Sequence, residues 1–167
     1  MDNYEIAIKG VQFAAHLLEI ETPDVQFFSN QSYSDRGINS VFLKDEYIIA
    51  FNEEWLEQAD PMEVQVTCFH ESRHAFQWKC INGEIQTEID SNTIQKWEQE
   101  MSNYNQPSQS EKPEEAYLKQ EIEIDAIAFA YRMMIEHFGV KTKIPEIIKD
   151  KVDKIMHFQY QEMRNTL

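Results

Sequence analysis

The sequence predicts an α+β domain: one helix, a small antiparallel sheet, then mostly helices. Three observations predict it. Apolar residues of 3–20 fall on one helical stripe, β-prone runs cluster between 25 and 51, and helical patterns dominate from Asp60 onward.

In residues 3–20 the stripe is Ile6, Val11, Ala14, Leu17 and Leu18, and Thr22-Pro23 ends the helix. Val25-Gln26-Phe27-Phe28 is a strand candidate, followed by a polar loop at 29–39 that contains Gly37. Val41-Phe42-Leu43 and Tyr47-Ile48-Ile49-Ala50-Phe51 flank Lys44-Asp45-Glu46, the pattern of a hairpin. Asp60-Pro61-Met62-Glu63 combines an N-cap acid, proline in the first turn and a capping-box glutamate, and opens a helix to about Cys80. Asn82-Gly83 stops it. Residues 86–104 are polar with Ile89, Ile94, Trp97 and Met101 as anchors of a surface helix, and 105–113 form a loop. One helix is expected from 113 or 114 to His137, closed by Gly139, and a last one over about 145–163. No repeat or internal boundary interrupts 1–167, which reads as a single domain.

Composition narrows the function. Of 167 residues, 42% are hydrophobic, enough for a core without disulfides or metals as staples. Fifteen basic against 30 acidic residues give a net charge of −15, which disfavours nucleic acid and anionic membrane surfaces as partners. Cys68 and Cys80 lie on one predicted helix, about 18 Å apart by the helical rise, so they cannot bridge. Free thiols fit a reducing compartment, the cytoplasm. Asp2, Glu5, Lys9, His16 and Glu19 break the N-terminal apolar pattern, so no signal peptide is expected. No run reaches the 18 apolar residues of a membrane span.

The chemistry concentrates at His70-Glu71-Ser72-Arg73-His74, an H-E-x-x-H pattern. On a helix, positions i and i+4 face the same way, so two imidazoles can grip one zinc. Glu71, beside the first ligand, can act on a metal-bound water as general base. The pattern arises by chance in roughly 2% of chains of this composition, a base rate against which any motif is weighed. Its context favours the metal: Val64, Val66, Cys68, Phe69, Ala75, Phe76 and Trp78 mark a largely buried helix, where imidazoles and a carboxylate need partners.

A zinc hydrolase needs a third protein ligand and an open fourth position. The longer H-E-x-x-H-x-x-G-x-x-H pattern is excluded, because Gln77 and Cys80 stand where it needs glycine and histidine. Carboxylates precede the apolar run Ile127–Ile135 at Glu121, Glu123 and Asp125. Glu123 shares a helix face with Ala126 and Ala130, whose small side chains permit close helix approach, and is preferred as ligand. The competing choice is Glu121, with Asp125 four residues on orienting a ligand histidine.

His70–His74 together with Glu123-Ile124-Asp125-Ala126-Ile127-Ala128-Phe129-Ala130 resembles the small gluzincin peptidases of the ImmA/IrrE type. That group carries an H-E-x-x-H helix and then a helix with E-x-x-A-x-x-F-A, matched here by Glu123, Ala126, Phe129 and Ala130. The resemblance implies a minimal zincin-like core over about 3–138. It implies zinc held by His70, His74 and Glu123, and a protein or peptide substrate laid beside the 47–51 strand as an added strand. Arg73 stands where the group usually has glycine.

His16, His137 and His157 are expected as packed or surface residues, with His137 the one alternative ligand to watch. Tyr117 and Tyr131 are oxyanion-donor candidates or core aromatics. Trp55, Trp78 and Trp97 read as core anchors. The reading favoured is a zinc metallopeptidase with Glu71 as base. The alternative is a non-catalytic module of the same shape that binds a partner protein, against which the intact Glu71 argues. A structural helical protein with a chance motif is the third possibility.

Overall fold

The computed structural model describes residues 1–30, 37–103 and 113–165. It forms two compact units, 1–90 and 91–167. Among the described residues no helix is long and apolar enough to cross a membrane.

The first unit begins with α1 (Asn3–Leu18), capped by the Asp2 carboxylate on the Glu5 N–H. Glu19 ends it in a left-handed conformation at φ 54°. Strands β1 (Asp24–Phe28), β2 (Ser40–Leu43) and β3 (Ile48–Asn52) build the sheet. The expected hairpin is present: β2 and β3 pair antiparallel around a turn at 44–47.

The sheet as a whole is mixed, which corrects the antiparallel expectation. The order is β1-β3-β2, and β1 runs parallel to β3, with Val25 opposite Ile49 and Phe27 opposite Phe51. The reason lies in burial. Ile49, Ala50, Phe51 and Asn52 are all buried, so β3 takes the centre, where both of its faces are covered. The less apolar β1 and β2 take the edges. With β3 hydrogen-bonded on both sides, no added strand can pair with residues 47–51, so that expected docking place is also corrected. Among the described strands, β2 and β1 are the edges.

A short α2 (Glu53–Leu56), which the sequence reading did not foresee, follows at once. Asn52 caps it by accepting from the Trp55 N–H. The Asn52 amide also donates to Asn30 Oδ1 at 2.6 Å and to the Ile38 carbonyl at 3.1 Å, tying both ends of the 29–39 connection. Residues 31–36 of that expected loop lie outside the described residues. Next comes α3 (Pro61–Ile81), where the Asp60 carboxylate accepts from the Met62 N–H as an N-cap. Gly83, at φ +67°, follows its last turn. The core joins α1, the sheet and α3 through Ala7, Val11, Ile49, Phe51, Leu56, Val64 and Cys68.

The second unit contains α4 (Ser91–Ser102), α5 (Pro113–Leu118), α6 (Glu121–Phe138), a 3₁₀ turn at Glu146–Ile148 and α7 (Lys149–Asn165). Trp97 is the buried anchor of α4. The loop expected at 105–113 lies outside the described residues except for Pro113, which opens α5. The single helix expected from there to His137 is two helices. Gln120, extended at ψ 134°, separates them. The break is held by hydrogen bonds: Glu100 Oε2 on α4 accepts from the Ile122 N–H at 2.9 Å and caps the start of α6. Gly139 closes α6 in the left-handed region, as its position predicts. Ile124, Ala128, Ile148, Val152 and Met156 form this unit's core.

Candidate metal centre

The orientation of α3 follows from its packing on α1. A Cβ at Gly10 would stand 2.7 Å from Cys68 Sγ and 3.0 Å from Cys68 Cβ, so only glycine lets the helices approach this closely. Cys68 Sγ donates to the Ala7 carbonyl at 3.5 Å. Burial pushes the Cys68 thiol well above its usual range, and the nearby Glu71 carboxylate adds to this. With Val64, Cys68 and Ala75 turned to the core, the helical period puts His70, His74 and Gln77 on a different stripe.

On that stripe, His70 Nε2 and His74 Nε2 lie 3.1 Å apart, their rings nearly perpendicular at 86°. Two nitrogens bound to one tetrahedral ion at about 2.0–2.1 Å stand roughly 3.3–3.4 Å apart, so the pair fits zinc with little adjustment. His74 is 7% exposed, and its Nδ1 contacts Gln77 Oε1 at 2.8 Å. The two ring nitrogens of His74 are thereby distinguished: Nδ1 faces the helix's own amide, and Nε2 faces His70.

Glu71 is equally buried at 7% exposure. Its Oε1 accepts from the Ser40 hydroxyl at 2.6 Å. That length is typical of a hydroxyl on a carboxylate oxygen. Glu71 therefore sits between the histidine stripe and the first residue of edge strand β2.

In the second unit, Glu123 lies in the first turn of α6 and is fully buried, between buried Ile122 and Ile124. Helix N-termini favour a carboxylate, which reduces the cost of burying it there. Glu121 is exposed, and its Oε1 meets Lys151 Nζ at 2.9 Å. Asp125 is half-buried. Ala126 and Ala130 are both buried, as their shared face with Glu123 requires.

The remaining candidates separate cleanly. His16, His137 and His157 are exposed. Tyr131 packs against the second core, and Tyr117 is half-buried. Trp55 lies against the first core, and Lys44 sits over the Trp78 ring at 4.9 Å. Two residues that touch this chemistry are not among the site candidates the sequence offers. Gln77 carried a signal, an amide three residues after a motif histidine in an apolar stretch. Ser40 carried none, because its contact depends on how β2 meets α3.

No family model, curated protein or solved structure matches the chain.

Proposed function

We propose that the protein is a zinc-dependent hydrolase of peptide bonds, with a minimal zincin-like core. The observation that carries the reading is the 3.1 Å approach of two imidazole nitrogens one helical turn apart, with Glu71 beside them. The donor set we infer is His70, His74 and Glu123, two imidazoles and a carboxylate of the kind that hold zinc. The resemblance of these residues to the small ImmA/IrrE-type gluzincins supports the same set.

When bound, zinc lowers the pKa of its water and polarises the scissile carbonyl. His70 and His74 would hold it through Nε2, the nitrogens that face each other. Glu71, held at Oε1 by Ser40, keeps Oε2 to take the proton of the attacking water and pass it to the leaving amine. An extended peptide pairs with the outer edge of β2, which brings its backbone beside Ser40 and Glu71. The substrate is a protein or peptide, and neither nucleic acid nor a membrane is needed. Buried free Cys68 and Cys80 fit a cytoplasmic setting.

Zinc content and hydrolysis of a fluorogenic peptide library, measured on one preparation, test the reading. The parent should hold about one zinc per chain. His70→Ala with His74→Ala should lose metal and activity together. Glu71→Gln should keep zinc and lose about 10²–10⁴-fold in rate. A parent without zinc, or a Glu71→Gln variant as active as the parent, overturns it. Bound zinc with no hydrolysis of any peptide supports the partner-binding alternative instead.

A further inference from the structure

We propose that Gln77 is a positioning residue that fixes which nitrogen His74 offers to the metal. The inference rests on the metal-binding reading above and extends it to a residue outside the H-E-x-x-H motif. Gln77 is fully buried, although its amide would be costly there without hydrogen bonds. Its Oε1 lies 2.8 Å from His74 Nδ1. A carbonyl oxygen has no hydrogen to give, so the contact requires a hydrogen on Nδ1. A neutral imidazole carries one N–H, which leaves Nε2 with its lone pair. Nε2 is the nitrogen that faces His70 Nε2 at 3.1 Å.

The bond therefore selects the ligating tautomer before any metal arrives, and it holds the ring plane. Turned the other way, the Gln77 NH₂ would donate to Nδ1, put the hydrogen on Nε2 and block ligation. Residues 74 and 77 are neighbours on one helix face, so the support is built within α3 and does not depend on the sheet. The role is the one that a carboxylate or backbone carbonyl fills behind metal-bound histidines generally. Gln77 fills it without adding a negative charge.

The experiment uses the full chain labelled with ¹⁵N-histidine, first without metal. Long-range ¹H–¹⁵N spectra should show His74 as the Nδ1–H tautomer in the parent. Gln77→Leu should shift it toward Nε2–H or a mixture. Zinc affinity is then read by competition with a chromophoric chelator. Gln77→Leu should bind about 10–100-fold more weakly, the usual loss for an outer partner of a metal ligand. Gln77→Glu, which still accepts from Nδ1–H, should bind at least as tightly as the parent.

An Nε2–H tautomer in the metal-free parent overturns the proposal. So does a Gln77→Leu variant that binds zinc as tightly as the parent. If the parent binds no zinc, the metal-binding reading falls; the tautomer alone then decides the placement of His74, with Nδ1–H supporting it and Nε2–H overturning it. Circular dichroism checks each variant's fold. If Gln77→Leu fails to fold, Gln77→Met is read in its place, and the parent's tautomer remains decisive.

Discussion

The Ser40 hydroxyl donates to Glu71 Oε1 at 2.6 Å and so joins the first residue of an edge strand to the acid of the H-E-x-x-H helix. A hydrogen bond to a charged group contributes about 1.5–3 kcal/mol, enough to hold one carboxylate rotamer against its alternatives. Ser40→Ala should therefore lower kcat by about tenfold or more while KM and zinc content stay near the parent's. Ser40→Thr should recover most of the loss. Steady-state kinetics with metal analysis check this, and an unchanged kcat in Ser40→Ala would remove Ser40 from the mechanism.

Glu123 and Glu121 make opposite predictions. Glu123 is buried, whereas Glu121 is exposed beside Lys151. Glu123→Gln should weaken zinc binding strongly. Glu121→Gln should leave zinc unchanged and cost at most about 1 kcal/mol from a surface ion pair. Chelator competition and thermal melts on both variants give the answer. The reverse ranking would make Glu121 the ligand and Asp125 the acid that orients a ligand histidine.

Gly10→Ala probes the helix contact that orients the histidine stripe. The added methyl meets Cys68 Sγ at 2.7 Å. Overpacking of this kind costs about 1–3 kcal/mol. The gain in helix propensity from replacing glycine returns about 1 kcal/mol. A net loss of about 1 kcal/mol in denaturant unfolding is expected, partly relieved by Cys68→Ala in the double variant. A stabilised Gly10→Ala would mean that α1 and α3 can separate without cost.

A cluster at the C-terminal end of α3 predicts a pH dependence. Lys79 Nζ meets Glu84 Oε2 at 2.6 Å and Glu21 Oε2 at 3.5 Å, and it lies over the Tyr47 ring. The hydrogen bond from Lys79 holds the Glu84 carboxyl below its usual 4.5. A group lowered on folding stabilises above its unfolded pKa, and this is lost as pH falls through the folded value. The parent should thus melt above Glu84→Gln at pH 7, and the gap should close as pH drops below 4.5. A gap that stays constant down to pH about 3 contradicts this.

What was legible in the sequence was mostly local. The spacing of His70 and His74, the cap at Asp60, the hairpin turn at 44–46 and the stop at Gly139 depend on neighbours within a few residues. Helical period or turn chemistry fixes each of them. Strand order was not local: Val25 lies opposite Ile49, and nothing near either residue states that β3 would come between β1 and β2. The break at Gln120 carries neither glycine nor proline, and its support comes from Glu100, which accepts from the Ile122 N–H across 22 residues of chain. Ser40 lay hidden for the same reason. Gln77 was visible, but only as the residue that ruled out a longer motif.

The seat of Gly10 on Cys68 also bears on how the chain reaches its native state. The Cys68 thiol and the Ala7 carbonyl that it meets are 61 residues apart in sequence. Closing a loop of that size costs about 3–4 kcal/mol of chain entropy before any contact offsets it. Both parallel β1–β3 pairing and the meeting of α1 with α3 are of this late kind, and such topologies fold more slowly than helical bundles. On this view α3 gains a defined rotation only after α1 has come back to it. The two imidazoles share one helical turn and come together as α3 forms, whereas the Ser40–Glu71 contact waits for β2 to reach α3, so the Glu71 carboxylate should be fixed only with the slow phase of refolding.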